Sequence, residues 1–150
     1  MKNTKQTIGR FDTVDLPQMD LFGLSAKVDT GAFTSAIHFH HAEVIQKDGK
    51  EVLHFTLLDP SHPEYNDKDF YFEAFTSREI KNSFGQSEER YIIETEIVLF
   101  DKTYITEFSL SDRGSLKFPI LLGRKLLKRK FVVDVARTNL SFKQKTKHIK

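Results

Sequence analysis

Ala26-Lys27-Val28-Asp29-Thr30-Gly31-Ala32-Phe33-Thr34-Ser35-Ala36 is the stretch on which the reading of this chain turns. Leu24, Ala26 and Val28 alternate as the inward residues of a strand do. The strand halts on a carboxylate, Asp29. A hydroxyl, Thr30, follows, and then Gly31, whose missing side chain lets backbone or ligand come close. Asp-Thr-Gly-Ala at a strand end presents a carboxylate at a tight turn, with peptide N–H groups and a hydroxyl beside it. The same tetrapeptide also suits a plain turn capped by Asp.

The 150 residues fit one domain, large enough to bury a core. With 14 Phe, 4 Tyr and no Trp, the aromatic residues supply large buried area per residue and favour strands. Formal net charge is +2, from 23 basic and 21 acidic residues, so neither a nucleic-acid nor a membrane partner is expected. Cysteine is absent, which excludes disulfides, a thiol nucleophile and thiolate metal sites. No apolar run reaches the roughly 18 residues of a spanning helix, and no apolar segment follows the polar start. A cytoplasmic protein is therefore expected.

Outward from Asp29, residues 1–8 read as a frayed polar leader and Phe11–Leu16 as a short strand ended by Pro17. Met19–Gly23 reads as a connector. Phe33–Val44 continues extended and carries His38, His40 and His41. Asp48-Gly49 marks a hairpin between that strand and Val52–Leu58. The stretch from Asp59 to Asp67, rich in turn residues, reads as a loop. Phe70–Phe75 reads as a half-buried strand, and Ile80–Tyr91 as a polar hairpin with its tip near Gly85. Tyr91–Phe100 and Thr103–Leu110 form a pair joined at Asp101-Lys102, with Tyr104, Phe108 and Leu110 on one face. Phe118–Gly123 is an apolar strand closed by Gly, and Arg124–Lys130 one or two helical turns. Phe131–Val135 and Asn139–Phe142 read as last strands, with 143–150 a flexible basic tail. Many short strands, frequent turns and one short late helix predict an all-β barrel.

Four ordered motifs make a resemblance specific. They are Lys27–Ala36, Gly85-Gln86-Ser87-Glu88-Glu89-Arg90, Leu122-Gly123-Arg124 and Phe131-Val132-Val133-Asp134. The Asp-Thr-Gly-Ala loop and the late apolar-Gly-Arg strand resemble those of retropepsin-like aspartic proteases. All four together resemble the bacterial and archaeal branch often labelled "ATP-dependent zinc protease", some members of which are encoded beside glutamate ligases that modify a ribosomal protein. The match covers most of residues 9–142. The distance from Gly85 to Gly123 is similar to that from flap to Gly in retroviral proteases. The distance from Asp29 to Gly85 is longer, which places an insertion around the His-rich strand and the Pro60–Asp67 loop.

The resemblance implies a closed retropepsin-like barrel of one domain, working as a homodimer, with Asn139–Phe142 among the strands of the dimer sheet. It implies Asp29 as catalytic carboxylate, flanked by Thr30 and Gly31. Ala32, Leu122, Gly123 and a flap of Phe84, Gly85 and Gln86 would hold an extended peptide or protein substrate, and Arg124 would be structural. One carboxylate cannot be both base and acid, whereas two sharing a proton can. The chain contains a single Asp-Thr-Gly, so the second must come from a partner chain. Position 33 departs from the pattern: the branch usually carries Arg there and the viral enzymes Asp, which pairs with the Arg of Leu-Gly-Arg. Phe33 cannot form that pair, and the sequence does not say what replaces it.

Alternatives stay open: a non-catalytic module holding a peptide or partner ligase in the same groove, or a zinc hydrolase built on the His strand. His38 and His40 fall on one side of a strand and His41 on the other. Two imidazoles need a third protein ligand for a catalytic zinc, and Glu43, His54 and His62 offer no recognisable spacing. No phosphate-cradling loop of the G-x-x-x-x-G-K-[ST] type exists. No metal or other cofactor is therefore expected. Glu88-Glu89-Arg90 reads as either a flap base or a solvated charge cluster.

Overall fold

In the computed structural model, which describes residues 4–81, 84–113 and 117–147, strands account for most of the chain. Aromatic and β-branched residues alternate with polar ones, and each strand turns its apolar set to a common interior. The strands in chain order are β1 (Gln6–Ile8), β2 (Phe11–Leu16), β3 (Leu21–Val28), β4 (Ser35–Lys47) and β5 (Lys50–Leu57). They continue as β6 (Phe70–Phe72), β7 (Thr76–Lys81), β8 (Ser87–Leu99), β9 (Lys102–Ser111), β10 (Ile120–Leu122) and β11 (Phe131–Val133). Two helices follow late, α1 (Arg124–Leu127) and α2 (Leu140–Lys147). None of the described helices is long and apolar enough to cross a membrane.

Strand order in the main sheet is β10-β3-β2-β8-β9-β4-β5-β6, and β10 pairs with β4 as well as β3. Strand β10 is thus parallel to β3, Leu122 beside Val28, and antiparallel to β4, Ile120 beside Ile37. Leu24, Ala26, Ile37, Phe55, Ile93, Phe108, Ile120 and Leu122 meet in one buried core. The Asp48-Gly49 turn has positive φ at both residues, 52° and 79°, and joins β4 to β5 with Lys47 opposite Lys50. A similar turn joins β8 to β9 at Phe100 and Asp101, one residue earlier than expected.

Three expectations are corrected. Gln6–Ile8 is not part of a frayed leader: it pairs in parallel with β11, and Ile8 is fully buried. Residues 1–3 lie outside the described residues. The Met19–Gly23 connector is mostly strand, because β3 begins at Leu21 and runs through Gly23. Asn139–Phe142 is not a strand but leads into α2, so the described residues include two late helices and Lys143 and Lys145 of the tail are helical. The cause is a long-range cap. Asp12, buried on β2, accepts hydrogen bonds from the Ser141 N–H (2.8 Å) and the Phe142 N–H (3.1 Å), satisfying donors at the helix start. The tail residues His148 and Lys150 lie outside the described residues.

Candidate active site

Where β3 ends, the chain turns through Asp29 and Thr30 and re-enters the sheet as β4. The Asp29 N–H donates to the Leu122 carbonyl (2.9 Å), prolonging the β3–β10 pairing by one bond. The Gly31 N–H then turns back to Asp29 Oδ1 at 2.9 Å. A Cβ on Gly31 would stand 3.2 Å from that oxygen, so the missing side chain keeps the carboxylate approachable. Asp29 is half-buried, and Thr30 and Gly31 are exposed.

Gly123 locks this loop from beneath. A Cβ on it would lie 2.6 Å from the Phe33 carbonyl oxygen and 2.8 Å from the Thr34 carbonyl carbon. Its N–H donates to Ser35 Oγ, and the next two N–H groups, of Arg124 and Lys125, donate to the carbonyls of Ala32 and Phe33. The start of α1 is therefore stitched to the far arm of the Asp29 loop. Leu122 is fully buried, so it and Gly123 support the loop rather than face solvent.

Arg124 has the partners that the sequence could not identify. Its Nη1 donates to the Thr30 carbonyl at 2.8 Å, and its guanidinium lies 5.8 Å from the centre of the Phe33 ring. An aromatic face and a backbone carbonyl stand where the viral enzymes use a carboxylate.

Asp29 opens on a cleft of about 400 Å³ lined by Lys27, Arg113, Lys117, Phe118 and Leu121. Three of these five neighbours are basic. Arg113 Nε donates to the Phe118 carbonyl (3.1 Å) and its backbone N–H to His38 Nδ1 (2.7 Å). Burial pushes the Arg113 guanidinium pKa down, while the negative charge of Asp29 opposes that shift. Sequence reasoning passed over Arg113 and Lys117: they follow a strand in a polar stretch, and only the return of that stretch to β3 brings them to Asp29.

Phe84, Gly85 and Gln86 sit at the tip of the antiparallel β7–β8 hairpin, with Gly85 at φ +78° and Phe84 exposed. None of the three lines the Asp29 cleft. Asn82 and Ser83 of the expected hairpin lie outside the described residues. At its base Arg90 donates to Glu88 (2.7 Å).

The histidines divide as expected, with His38 and His40 on one side of β4 and His41 on the other. His38 Nε2 lies 2.8 Å and His40 Nδ1 3.4 Å from Asp59 Oδ1, although the His38 ring N–H is not aimed squarely at that oxygen. His38 and His40 thus share a carboxylate, away from Glu43 and His54, and His62 lines the same hollow as His38 and Asp59. His41 instead meets Glu43 and His54 on the outer half of the β4–β5 hairpin.

A family model described as "Retropepsin-like aspartic endopeptidase RimB" matches residues 7–144. Three similar proteins each bear the name "Probable alpha-L-glutamate ligase". The one from Desulfotalea psychrophila is 33% identical over 136 residues, 88% of this chain and 28% of the ligase. The one from Shewanella pealeana is 31% identical over 138 residues, 89% of this chain and 29% of the ligase. The one from Parasynechococcus marenigrum is 28% identical over 134 residues, 87% and 28% respectively. The chain therefore spans less than a third of the length of these relatives. A crystal structure of a Legionella pneumophila protein of unknown function superposes with a TM-score of 0.70 at 26% identity, covering 92% of this chain and 99% of that one.

Proposed function

Since the chain belongs to the RimB-like family of retropepsin-like aspartic endopeptidases, we propose that it hydrolyses peptide bonds in acidic segments as a homodimer, through a pair of Asp29 carboxylates. The observation that carries this reading is the Asp29 loop: a half-buried carboxylate receiving the Gly31 N–H, held by Leu122 and Gly123, and facing a cleft with three basic side chains.

The chemistry follows from the pair. Asp29 of one subunit takes a proton from water as the water oxygen bonds to the scissile carbonyl carbon. Asp29 of the partner subunit carries the shared proton and gives it to the carbonyl oxygen, forming a neutral gem-diol. On collapse the C–N bond breaks as the first Asp29 gives its proton to the amine nitrogen, and a gem-diol hydroxyl returns a proton to Asp29 of the partner subunit, which leaves a carboxyl product and restores the shared proton. The Gly31 N–H holds Asp29 Oδ1 in place throughout. The β7–β8 hairpin, with Phe84, Gly85 and Gln86, would close on an extended substrate by strand-like pairing.

The strand circuit β10-β3-β2-β8-β9-β4, with β10 returning to β4, supports a closed barrel. Apolar surface beside the Asp29 loop supports the dimer: Phe33 is 51% exposed. A hollow lined by Thr30, Phe33, Arg124, Leu127 and Phe131 lies on the same side. With Asn139–Phe142 leading into α2, the dimer sheet would instead draw on β1 and β11.

Substrate class rests on charge. Lys27, Arg113 and Lys117 around one carboxylate suit a peptide bearing carboxylates. The relatives named as probable alpha-L-glutamate ligases support the same reading, because the name connects them with glutamate, the residue this site would meet in an acidic peptide. The test is cleavage of an oligoglutamate peptide and a neutral control of equal length. Wild type should cleave the acidic peptide, Asp29→Asn neither, and Arg113→Gln should raise KM for the acidic one. Equal cleavage by Asp29→Asn would overturn the reading.

A further inference from the structure

Independently of the Asp29 reading, the outer half of the β4–β5 hairpin gathers a second set of chemistry-bearing side chains. Glu43 on β4 stands in register with His54 on β5, and His41, two residues before Glu43, shares its face. Glu43 Oε1 is 3.3 Å from His54 Nδ1 and 3.4 Å from His41 Nε2. The ligand atoms of all three fall within 4.8 Å of one another. In a tetrahedron with metal–ligand bonds of about 2.0–2.2 Å, neighbouring donor atoms stand roughly 3.3–3.6 Å apart. Two of the three edges already have that length.

The surroundings match a ligand set as well. His54 Nε2 lies 2.8 Å from Asp69 Oδ1, the carboxylate–imidazole contact that fixes the tautomer of a metal-binding ring. In the tautomer that directs its proton to Asp69, His54 would turn the lone pair of Nδ1 toward Glu43 Oε1, and a proton or a cation between the two acceptors then completes the contact. Tyr71 stacks on the His54 ring, centres 4.8 Å apart and planes 13° from parallel, which holds the imidazole edge-on to the trio. The three ligands stand on paired strands, so the spacing is held by the sheet. Two imidazoles and one carboxylate suit zinc-type transition ions rather than calcium or magnesium.

We propose that His41, Glu43 and His54 bind one divalent ion of the zinc, cobalt or nickel type, with Asp69 orienting His54. Bound there, the ion ties β4 and β5 to the segment that carries Asp69 and leaves the remaining coordination to solvent.

The test is titration of the chelator-treated 150-residue chain with Zn²⁺ by calorimetry and with Co²⁺ by visible absorption. One ion per chain should bind, with the intense absorption of low-coordinate cobalt. His41→Gln and Glu43→Gln should each weaken binding by about 10-fold or more, and Asp69→Asn by about 10- to 100-fold. Both ligand side chains are about half exposed, 49% and 51%, so these two variants keep the fold. His38→Gln and His40→Gln, directed at Asp59, should bind as wild type does. Absence of saturable uptake by wild type, or uptake unchanged in both His41→Gln and Glu43→Gln, would overturn the assignment.

Discussion

Arg124 Nη1 donates to the Thr30 carbonyl at 2.8 Å, so the cation of the late Leu-Gly-Arg strand holds the backbone next to Asp29 directly. The Phe33 ring beneath the guanidinium completes the seat. Arg124→Lys would keep the charge but lose the planar fork. Stability should fall by only about 0.5–1 kcal/mol, since the site is exposed. Peptide cleavage should fall about 10- to 100-fold, because the loop loses its fixed height. Chemical denaturation and a cleavage assay on the same protein separate the two effects; equal fractional losses would show Arg124 to be a general stabiliser only.

Gly123 tests the packing beneath that loop. Its missing Cβ would stand 2.6 Å from the Phe33 carbonyl oxygen, and backbone cannot move aside as a side-chain end can. Gly123→Ala should cost at least about 1–3 kcal/mol. The fair control is Gly49→Asn, because Gly49 has φ +79° and nothing within 4 Å, and Asn tolerates that conformation. The control should melt within a few degrees of wild type. Matching melting temperatures for Gly123→Ala and wild type would refute the interlock.

How far the sequence could be read depended on the range of the interactions. Asp48-Gly49 and the Asp29 turn were legible because turn chemistry and glycine are local signals. Helix α2 was not: Leu140–Lys147 has no acidic residue in its first turn, and its cap comes from Asp12, about 130 residues away in the chain. Strand β1 was hidden for the same reason, since its partner is β11. Arg113 and Lys117 carried no motif. The trio of His41, Glu43 and His54 did leave a trace. A two-residue turn at Asp48-Gly49 sets Lys47 opposite Lys50, and counting back sets Glu43 opposite His54.

Asp12 offers a direct check on that long-range cap. It is buried, and its carboxylate accepts from the N–H groups of Thr13, Ser141 and Phe142. Asp12→Ala should cost about 1–3 kcal/mol by leaving buried donors unmet. Amide exchange should accelerate first in α2, while the β8–β9 amides stay protected. Uniform acceleration across the chain would mean that Asp12 supports the whole fold rather than the helix.

The Asp59 contacts carry a pH dependence. His38, and secondarily His40, hold the Asp59 carboxyl below its usual range, with partial burial opposing them. A carboxyl depressed in the native state contributes stability in full above its unfolded pKa. That contribution fades as pH falls through the native value. The stability gap between wild type and Asp59→Asn should therefore be widest near neutral pH and close on acidification. Urea midpoints across the acid range measure it, and a gap that stays constant or widens would reverse the assignment.

The shared-carboxylate mechanism can be tested by mixing chains. Asp29→Asn changes charge but hardly shape, so the variant should fold and enter dimers as wild type does. A mixed pair has one carboxylate and one amide, and an amide neither takes the proton from water nor carries the shared one. After equal amounts of wild type and variant exchange subunits, about a quarter of the dimers hold two Asp29 carboxylates. Cleavage should therefore drop to about a quarter of that given by the same total concentration of wild type. Chains that work independently would retain about half. Dilution should separate the models again, since a site assembled from two chains loses specific activity below the dimer dissociation constant. Sedimentation at the same concentrations must show the dimer where activity is high. A value of one half, with activity per chain independent of concentration, would show that a single Asp29 suffices and end the two-carboxylate mechanism.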